Sequence, residues 1–180
     1  RGLGDVYKRQ PQQALISLDN KIRKKDFYIT TEVGQHQMWA AQYIKFEKPK
    51  RWMTSGGLGT MGYGFPAALG VQIANPKSLV ICVAGEASFL MNMQELSTVK
   101  QYRLPVKVFI LNNKYLGMVR QWQEFFHGGR YSESYTDSLP DFVKLAESYG
   151  IKGLRAKKPE ELDSVIKEMI EFNLSLIHIS

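Results

Sequence analysis

The sequence has little cysteine and lacks any long hydrophobic run. Its single cysteine, Cys82, excludes a disulfide within the chain, as is usual for proteins of the cytoplasm. Because Cys82 lies inside an apolar run, we expect a small buried side chain rather than a reactive thiol. No apolar run approaches the roughly eighteen residues of a membrane-spanning helix, and no signal peptide is recognisable. We therefore expect a cytoplasmic protein that does not cross a membrane.

Positive charge is in excess but is not concentrated on any one stretch. The 24 Lys and Arg residues outnumber the 17 Asp and Glu residues, which gives a net charge of +7. Because these cations are scattered rather than striped, we do not expect a nucleic-acid partner. With 180 residues, of which 44% are hydrophobic, the chain is long and apolar enough for about one domain with a buried core.

The two ends of the chain are related to each other at the level of DNA. Residues 5–10 (DVYKRQ) can be encoded by GAT GTG TAT AAG AGA CAG, whose reverse complement encodes residues 174–179 (LSLIHI). Such ends resemble a translated transposon adaptor from the preparation of a sequencing library. We therefore predict that residues 1–10 and 174–180 are not native. The remaining domain, residues 11–173, is then expected to be an internal piece of a longer reading frame.

A carboxylate and a carboxamide follow two predicted strands. The apolar run 80–84 ends shortly before Glu86, and the run 109–111 ends shortly before Asn113. Helical spacing over 91–103 connects them, which predicts a βαβ unit. Ligands of open α/β sheets lie beyond the carboxyl ends of the strands, and Mg²⁺ prefers oxygen ligands and keeps bound phosphates. The acid Glu86 and the amide of Asn112 or Asn113 at these strand ends therefore suit a hard divalent cation such as Mg²⁺.

Predicted strands alternate with predicted helices along the rest of the chain. This alternation is typical of an α/β fold with a doubly wound, mainly parallel sheet flanked by helices. The other predicted helices cover 11–25, 37–43, 67–74, 114–126, 141–149 and 159–172. The other predicted strands cover 27–31, 52–55 and 151–155, the last of which is expected to be the final strand.

A glycine-rich run at 56–64 allows two interpretations. Its glycines let the backbone approach a ligand closely. Gly57, Gly59 and Gly62 also satisfy the G-x-G-x-x-G pattern of dinucleotide-binding folds, with Glu86 as the acid that would bind the ribose. Against the dinucleotide interpretation, the strand before the glycines is short and mostly polar, and the asparagines after the run 109–111 are left without a role.

Two further segments keep alternatives open. His36 follows a Gly-containing turn, where backbone N–H groups can face an anion. It is therefore either a ligand contact or a surface or core histidine whose hydrogen bonds need no ligand. Met118 and Trp122 stand one helical turn apart, so they either pack in the core or form one wall of a pocket. The residues alone decide neither case.

Three long motifs carry a resemblance to a known family. They lie at 34–42 (GQHQMWAAQ), 54–64 (TSGGLGTMGYG) and 116–122 (LGMVRQW). In this order they resemble the thiamine-diphosphate domain of the acetolactate synthase (acetohydroxyacid synthase) large catalytic subunits. The resemblance covers about residues 11–173, nearly everything between the two suspect ends.

The metal motif departs from the pattern of the thiamine-diphosphate superfamily at two positions. The superfamily has G-D-G followed by N-N, which stand here as 85–87 (GEA) and 112–113 (NN). Glu86 keeps the charge and oxygen ligands of the usual Asp but adds a methylene, so the strand end or the metal must shift slightly. Ala87 can replace the usual glycine if its φ is negative. We interpret this as an adapted site.

The resemblance implies a role for each matching residue. Mg²⁺ would be held by the side-chain oxygens of Glu86 and Asn113 and by the backbone carbonyl of Tyr115. The contacts to thiamine diphosphate would come from Gln35, His36, Gly59, Met61, Gly85, Ala87, Ser88, Asn113, Leu116, Gly117 and Met118.

Two of these residues would act in catalysis and two would shape the substrate pocket. The Gly59 carbonyl would accept a hydrogen bond from the aminopyrimidine, and Met61 would wedge beneath the bent cofactor. Met118 and Trp122 would shape the pocket for the second substrate.

The activity that the resemblance implies is a carbon–carbon bond formation. Pyruvate would be decarboxylated and its hydroxyethyl unit joined to a second 2-oxo acid, giving 2-acetolactate or 2-aceto-2-hydroxybutyrate in branched-chain amino-acid biosynthesis. The family has an FAD-binding middle domain and a glutamate that activates the cofactor across a dimer interface, neither of which these residues supply. The chain alone is therefore expected to be inactive. The implied partners are a second copy of the full-length subunit, in a homodimer or higher oligomer, and optionally a small regulatory subunit.

Other interpretations stay open beside this one. The metal motif is shared with other thiamine-diphosphate enzymes, such as 2-oxo acid decarboxylases and oxidases, and cannot decide between them, whereas the run with Met118 and Trp122 favours the synthase. A non-catalytic relative that serves in binding or assembly is a further alternative. The dinucleotide-binding module is the last, and it predicts that Asn113 is dispensable.

Overall fold

The computed structural model describes residues 11–179 and is built around one parallel sheet. Its strands are β1 (Phe27–Thr31), β2 (Trp52–Thr54), β3 (Leu79–Gly85), β4 (Lys107–Leu111), β5 (Lys152–Arg155) and β6 (Leu176–Ile179). The six strands lie in the order β2–β1–β3–β4–β6–β5, and every neighbouring pair is parallel.

Helices connect the strands and cover both faces of the sheet. They are α1 (Pro11–Ile22), α2 (Gln35–Tyr43), α3 (Gly64–Ala74), α4 (Glu86–Leu90), α5 (Leu96–Tyr102), α6 (Gly117–Phe126), α7 (Phe142–Ser148) and α8 (Leu162–Glu171), with 3₁₀ turns at Met93–Glu95 and Pro159–Glu161. One core lies between the sheet and α3, α5 and α7, and the other lies between the sheet and α1, α2 and α8. The predicted doubly wound parallel fold is confirmed.

Strand β3 is buried on both of its faces. Val80, Cys82 and Ala84 belong to one core, and Ile81 and Val83 belong to the other, as expected for a central parallel strand. Cys82 is fully buried, and this burial raises the pKa of its thiol well above the ordinary value. The expected inert, buried cysteine is therefore confirmed.

Two predicted helices have different bounds in the structure. The helix predicted over 91–103 is present but begins later, as α5 at Leu96 after a 3₁₀ turn, because the chain forms α4 directly after β3 and then breaks at Asn92, whose φ of −135° and ψ of 29° are not helical. The helix predicted from residue 114 begins only at Gly117. Lys114 has a φ of +63°, and its N–H is held by Asn112 Oδ1 at 3.1 Å, so this turn cannot belong to a helix.

The strand at 151–155 was predicted to be the last strand, and this is wrong. Strand β6 follows it and lies between β4 and β5, with Leu176 and Ile177 buried. This strand falls within the segment predicted to derive from an adaptor. An apolar tetrapeptide can pair with a sheet whatever its origin, so that origin stays a prediction, and the N-terminal segment 1–10 lies outside the described residues.

Between residues 11 and 179, no helix is both long enough and apolar enough to cross a bilayer.

Candidate functional site

The carboxyl ends of β1, β3 and β4 open onto one cavity of about 670 Å³. The structure brings every residue predicted for the site to the wall of this cavity. These residues are Gln35, His36, Gly59, Met61, Gly85, Glu86, Ala87, Ser88, Asn113, Tyr115, Leu116, Gly117, Met118 and Trp122. Their shared location is a structural fact, whereas the individual roles given to them above stay predictions.

Glu86 and Asn113 converge on the backbone of Tyr115. The N–H of Tyr115 donates to Glu86 Oε1 at 3.0 Å and to Asn113 Oδ1 at 3.0 Å. Because one donor serves both oxygens, the carboxylate and the carboxamide lie side by side at adjacent strand ends. The left-handed backbone at Lys114 makes this possible by turning the Tyr115 N–H back towards the strand ends.

Glu86 is a buried acid without a cationic partner among the described residues. Its side chain is 2% exposed, and it forms no salt bridge within residues 11–179. Burial raises the pKa of the Glu86 carboxyl above its ordinary value, although backbone N–H groups near it act in the opposite direction. A bound cation would compensate this buried charge.

Ala87 meets the condition that an alanine at this position must not have a positive φ. It lies inside helix α4, and it is not among the described residues with positive φ. The missing glycine therefore causes no backbone strain at this position.

His36 lines the same cavity and has one unpaired ring nitrogen among the described residues. Its imidazole is 7% exposed, and this burial lowers its pKa to about 4, so the ring is neutral near pH 7. Nε2 is buried and has no hydrogen-bond partner among the described residues. The ring is packed closely, since a Cβ at Gly85 would lie 2.7 Å from its Nδ1. An incoming ligand group could supply the missing partner.

A second close approach lies between α2 and α6. Gln35 Oε1 accepts a hydrogen bond from Asn113 Nδ2 at 3.5 Å, and Gln35 Nε2 donates to Gln121 Oε1 at 3.2 Å. A Cβ at Gly117 would overlap Gln35 Oε1 and would lie 3.1 Å from Asn113 Nδ2. Only glycine at position 117 leaves this network undisturbed.

The glycine-rich loop does not have the geometry of a dinucleotide-binding turn. That motif needs a strand that enters a tight turn and then a helix. Here β2 is an edge strand of 3 residues, and a long loop over 55–63 separates it from α3. Of the three motif glycines only Gly59 lines the cavity, and its φ of +65° requires the freedom of glycine.

Helix α6 forms an apolar wall rather than a piece of the core. None of its residues is buried, and Trp122 is 61% exposed although it lines the cavity with Met118. This settles the alternative left open by the sequence in favour of a pocket wall.

Several lining residues were missed by the sequence analysis. They are Val33, Gly34, Trp39, Leu111, Val119, Gln123, His127 and Arg130. Gly34, Trp39 and Val119 lie inside the motifs at 34–42 and 116–122, and Val33, Leu111 and Gln123 directly adjoin a motif, so the motifs themselves signalled this part of the wall. His127 and Arg130 lie in a loop whose position the sequence pattern does not give.

The donor set of this cavity fits a metal-bound diphosphate. Within residues 11–179, no group of three His, Cys, Asp or Glu side chains could enclose a metal, so Glu86 and Asn113 offer only part of a ligand shell. Mg²⁺ accepts such partial shells because it keeps waters and phosphate oxygens as its other ligands. The uncompensated carboxylate and the unpaired His36 Nε2 thus suit a cation and an anion bound together.

Comparisons with known proteins agree with this geometry. The family described as "Thiamine pyrophosphate enzyme, C-terminal TPP binding domain" matches residues 32–179. The acetolactate synthase isozyme 3 large subunit of Escherichia coli (strain K12) is 57% identical over 159 residues, which are 88% of this chain and 28% of that protein.

Two acetolactate synthase large subunits from other organisms are also similar. The protein of Buchnera aphidicola subsp. Schizaphis graminum is 54% identical over 176 residues, 96% of this chain and 31% of that protein. The protein of Porphyra purpurea is 52% identical over 163 residues, 90% of this chain and 27% of that protein. The chain thus spans about three-tenths of the length of the curated relatives that it matches.

Proposed function

Because this chain belongs to the family of C-terminal TPP-binding domains of thiamine pyrophosphate enzymes, we propose that it is the cofactor-binding part of an acetolactate synthase large subunit. The observation that carries the proposal is that Glu86 and Asn113 both accept the backbone N–H of Tyr115. They do so in a cavity that is lined by residues from the motifs at 34–42, 54–64 and 116–122. The particular reaction is supported by three relatives at 52–57% identity that are acetolactate synthase large subunits.

Glu86, Asn113 and the Tyr115 backbone carbonyl would hold Mg²⁺. Two oxygens are already oriented by the Tyr115 N–H, so little rearrangement is needed before a cation is bound. The ion would compensate the buried charge of Glu86 and would leave its remaining positions to water and diphosphate oxygens. Gln35 would keep Asn113 in place through their mutual hydrogen bond.

The diphosphate of the cofactor would lie against α2 and α4. His36, whose ring is neutral near pH 7 and whose Nε2 has no partner among the described residues, would contact this diphosphate from the cavity wall. The backbone at Gly85, Ala87 and Ser88 lines the same part of the cavity. The close contact of Gly85 with the imidazole keeps the His36 ring from rotating.

The reactive end of the cofactor would lie near Gly59 and Met61. The Gly59 carbonyl would accept a hydrogen bond from the aminopyrimidine, and the Met61 side chain would contact the cofactor and hold it in place. When bound, thiamine diphosphate supplies a thiazolium ring that accepts the electron pair left when a 2-oxo acid loses carbon dioxide. Met118 and Trp122 would exclude water from this region and limit the size of the second 2-oxo acid.

The rest of the activity would require parts that lie outside this chain. The proposed substrates are pyruvate and a second 2-oxo acid, and the proposed products serve valine and isoleucine biosynthesis in the cytoplasm. FAD and the glutamate that activates the aminopyrimidine would come from other domains of the full-length subunit, acting as a homodimer or higher oligomer. A small regulatory subunit is a further proposed partner.

The experiment that tests this function is the identification of the product. The complete subunit from the uninterrupted gene is purified and supplied with pyruvate, Mg²⁺, thiamine diphosphate and FAD. Acetolactate is the expected product. Acetaldehyde or acetate would instead assign the protein to a decarboxylase or oxidase with the same cofactor, and no turnover by a folded protein would favour a non-catalytic relative.

We further propose that the segments 1–10 and 174–180 derive from an adaptor, as their complementary coding suggests. Sequencing the gene from genomic DNA tests this directly. The genomic reading frame is expected to depart from the present sequence near both ends and to continue beyond them. A genomic sequence that encodes DVYKRQ and LSLIHI at these positions would refute the proposal.

A further inference from the structure

Glu32 is a fully buried carboxylate that does not line the cavity. It follows β1 directly, is 0% exposed and forms no salt bridge among the described residues. Its Oε2 accepts the N–H of Gly62 at 2.6 Å, and its Oε1 accepts the N–H of Phe65 at 2.9 Å. The side chain therefore joins the end of β1 to the glycine-rich loop and to the first turn of α3.

Gly62 is held from its other side by Asn92. Asn92 Nδ2 donates to the carbonyl of Gly62 at 2.6 Å, and Asn92 Oδ1 accepts from Gln94 Nε2 at 2.9 Å, which fixes the orientation of the amide. The two peptide groups that flank the Gly62 Cα are thus both tied to side chains from other elements. We refer to Glu32 and Asn92, which bind Gly62 from its two sides, as the clamp. A Cβ at Gly62 would lie 2.7 Å from Asn92 Nδ2, so only glycine fits between them.

The clamp lies one residue after Met61, at the point where an exposed loop meets the body of the domain. Residues 56–60 are exposed, Met61 is half-buried, and Gly62 is buried. Within the exposed part, the described side-chain hydrogen bond is local, from the Thr60 N–H to Ser55 Oγ at 2.9 Å. The position of the Met61 backbone in the cavity is therefore set mainly by how firmly Gly62 is held.

We propose that Glu32 and Asn92 are positioning residues that hold the Gly59–Met61 segment in place for the cofactor through their clamp on Gly62. This inference rests on the proposed function, because it takes Gly59 and Met61 as the residues that face thiamine diphosphate. Neither Glu32 nor Asn92 is expected to touch the cofactor, since neither lines the cavity.

An acid at position 32 is needed to accept two backbone N–H groups at once. Both carboxylate oxygens accept backbone N–H groups in a site without water access, and hydrogen bonds to a charged acceptor are the stronger kind. Glu32→Gln would turn an NH₂ group towards one of these N–H donors and would lose that bond. Asn92→Ala would release the Gly62 carbonyl from a half-buried side chain, with a smaller effect on the fold.

The test measures hydrogen exchange and cofactor binding in the complete subunit. The variants are Asn92→Ala and Glu32→Gln, and the matched control is Tyr28→Phe. Tyr28 joins the same β1 to the other end of α3 through a hydrogen bond from its hydroxyl to Asn75 Oδ1 at 2.9 Å. Amide exchange of the peptide that spans 55–63 is followed by mass spectrometry without cofactor, and thiamine diphosphate affinity is measured by calorimetry with Mg²⁺.

The clamp predicts that both variants, but not the control, exchange this peptide faster and bind thiamine diphosphate about tenfold more weakly. Unchanged exchange and affinity in Asn92→Ala would overturn the proposal, and this variant decides the matter if Glu32→Gln does not fold. Faster exchange with unchanged affinity would overturn the role towards the cofactor. A failure of the proposed cofactor site is recognised separately, because the wild-type subunit would then not bind thiamine diphosphate at all.

Discussion

Glu86 and Asn113 share a single donor, the backbone N–H of Tyr115, which lies 3.0 Å from an oxygen of each. The two residues come from different strand ends and are separated by a whole βαβ crossover. Their meeting on one peptide group preorganises two oxygen ligands in a buried place where a lone carboxylate is unfavourable.

Gly117→Ala is expected to damage cofactor binding, whereas Gly70→Ala is expected to be harmless. The new Cβ at position 117 would overlap Gln35 Oε1 and displace Asn113, so we expect thiamine diphosphate affinity to fall at least about tenfold. Gly70 lies exposed inside α3, and a Cβ there meets nothing within 4 Å. Gly70→Ala should raise stability by about 0.5–1 kcal/mol. Calorimetry and thermal melting of both variants test the contrast, which equal affinities would refute.

The stabilisation by Mg²⁺ is expected to grow as pH rises. Because burial raises the pKa of Glu86 above 4.5 in the folded protein, its own contribution to stability is present below pH 4.5 and is lost as pH rises through the raised pKa. A bound cation needs the ionised carboxylate, so the gain in melting temperature from Mg²⁺ with thiamine diphosphate should increase over this same range. Glu86→Gln should show little gain at any pH. A gain in the wild type that does not vary with pH would contradict the assignment.

His36 is expected to lower stability in mild acid. Its pKa is about 4 in the folded protein and ordinarily 6.5, so the unfolded chain binds a proton between these values that the folded protein does not. The free energy of unfolding should therefore fall as pH drops from 6.5 to 4, by at most about 3 kcal/mol. His36→Gln should lose less melting temperature than the wild type over this range, and His127→Gln, at an exposed position, should behave like the wild type. Equal losses in all three proteins would refute the prediction.

Trp122→Ala is expected to change substrate preference more than stability. Trp122 is 61% exposed on α6 yet lines the cavity, so its loss widens the pocket while leaving the core intact. In competition between pyruvate and 2-oxobutyrate as the second substrate, we expect the product ratio to change by about tenfold. Phe125→Ala is the matched control, because Phe125 is 68% exposed on the same helix but does not line the cavity. The same product ratio in both variants would contradict the role of Trp122 in the wall of the substrate pocket.

The sheet and the strand-end residues could be predicted because their signals are local. Buried β-branched runs mark β1, β3 and β4, and polar residues directly after those runs mark the site. The location of Glu86 and Asn113 in the site could therefore be predicted without knowledge of long-range contacts. The glycines at 59 and 117 were found through motifs, although the reasons for them, a positive φ and a close approach to Gln35, appear only in three dimensions.

The errors came from backbone geometry that no hydrophobic pattern encodes. The break at Asn92 and the left-handed Lys114 are set by tertiary contacts, including the hydrogen bonds of Asn92 with Gly62 and of Tyr115 with Glu86. The sequence analysis assigned no role to Glu32, because the two backbone N–H groups that it accepts lie 30 and 33 residues away along the chain. Strand β6 was missed because its segment was set aside as foreign.

Calorimetric titration of thiamine diphosphate into the complete subunit, with Mg²⁺ present, tests the central claim most directly. The wild type is compared with Glu86→Gln and with Glu124→Gln, which alters an exposed acid on α6. We predict that Glu86→Gln weakens binding by at least about a hundredfold and removes its dependence on Mg²⁺, while Glu124→Gln binds like the wild type. Wild-type affinity and Mg²⁺ dependence in Glu86→Gln would contradict the assignment of the strand-end pair as the metal site.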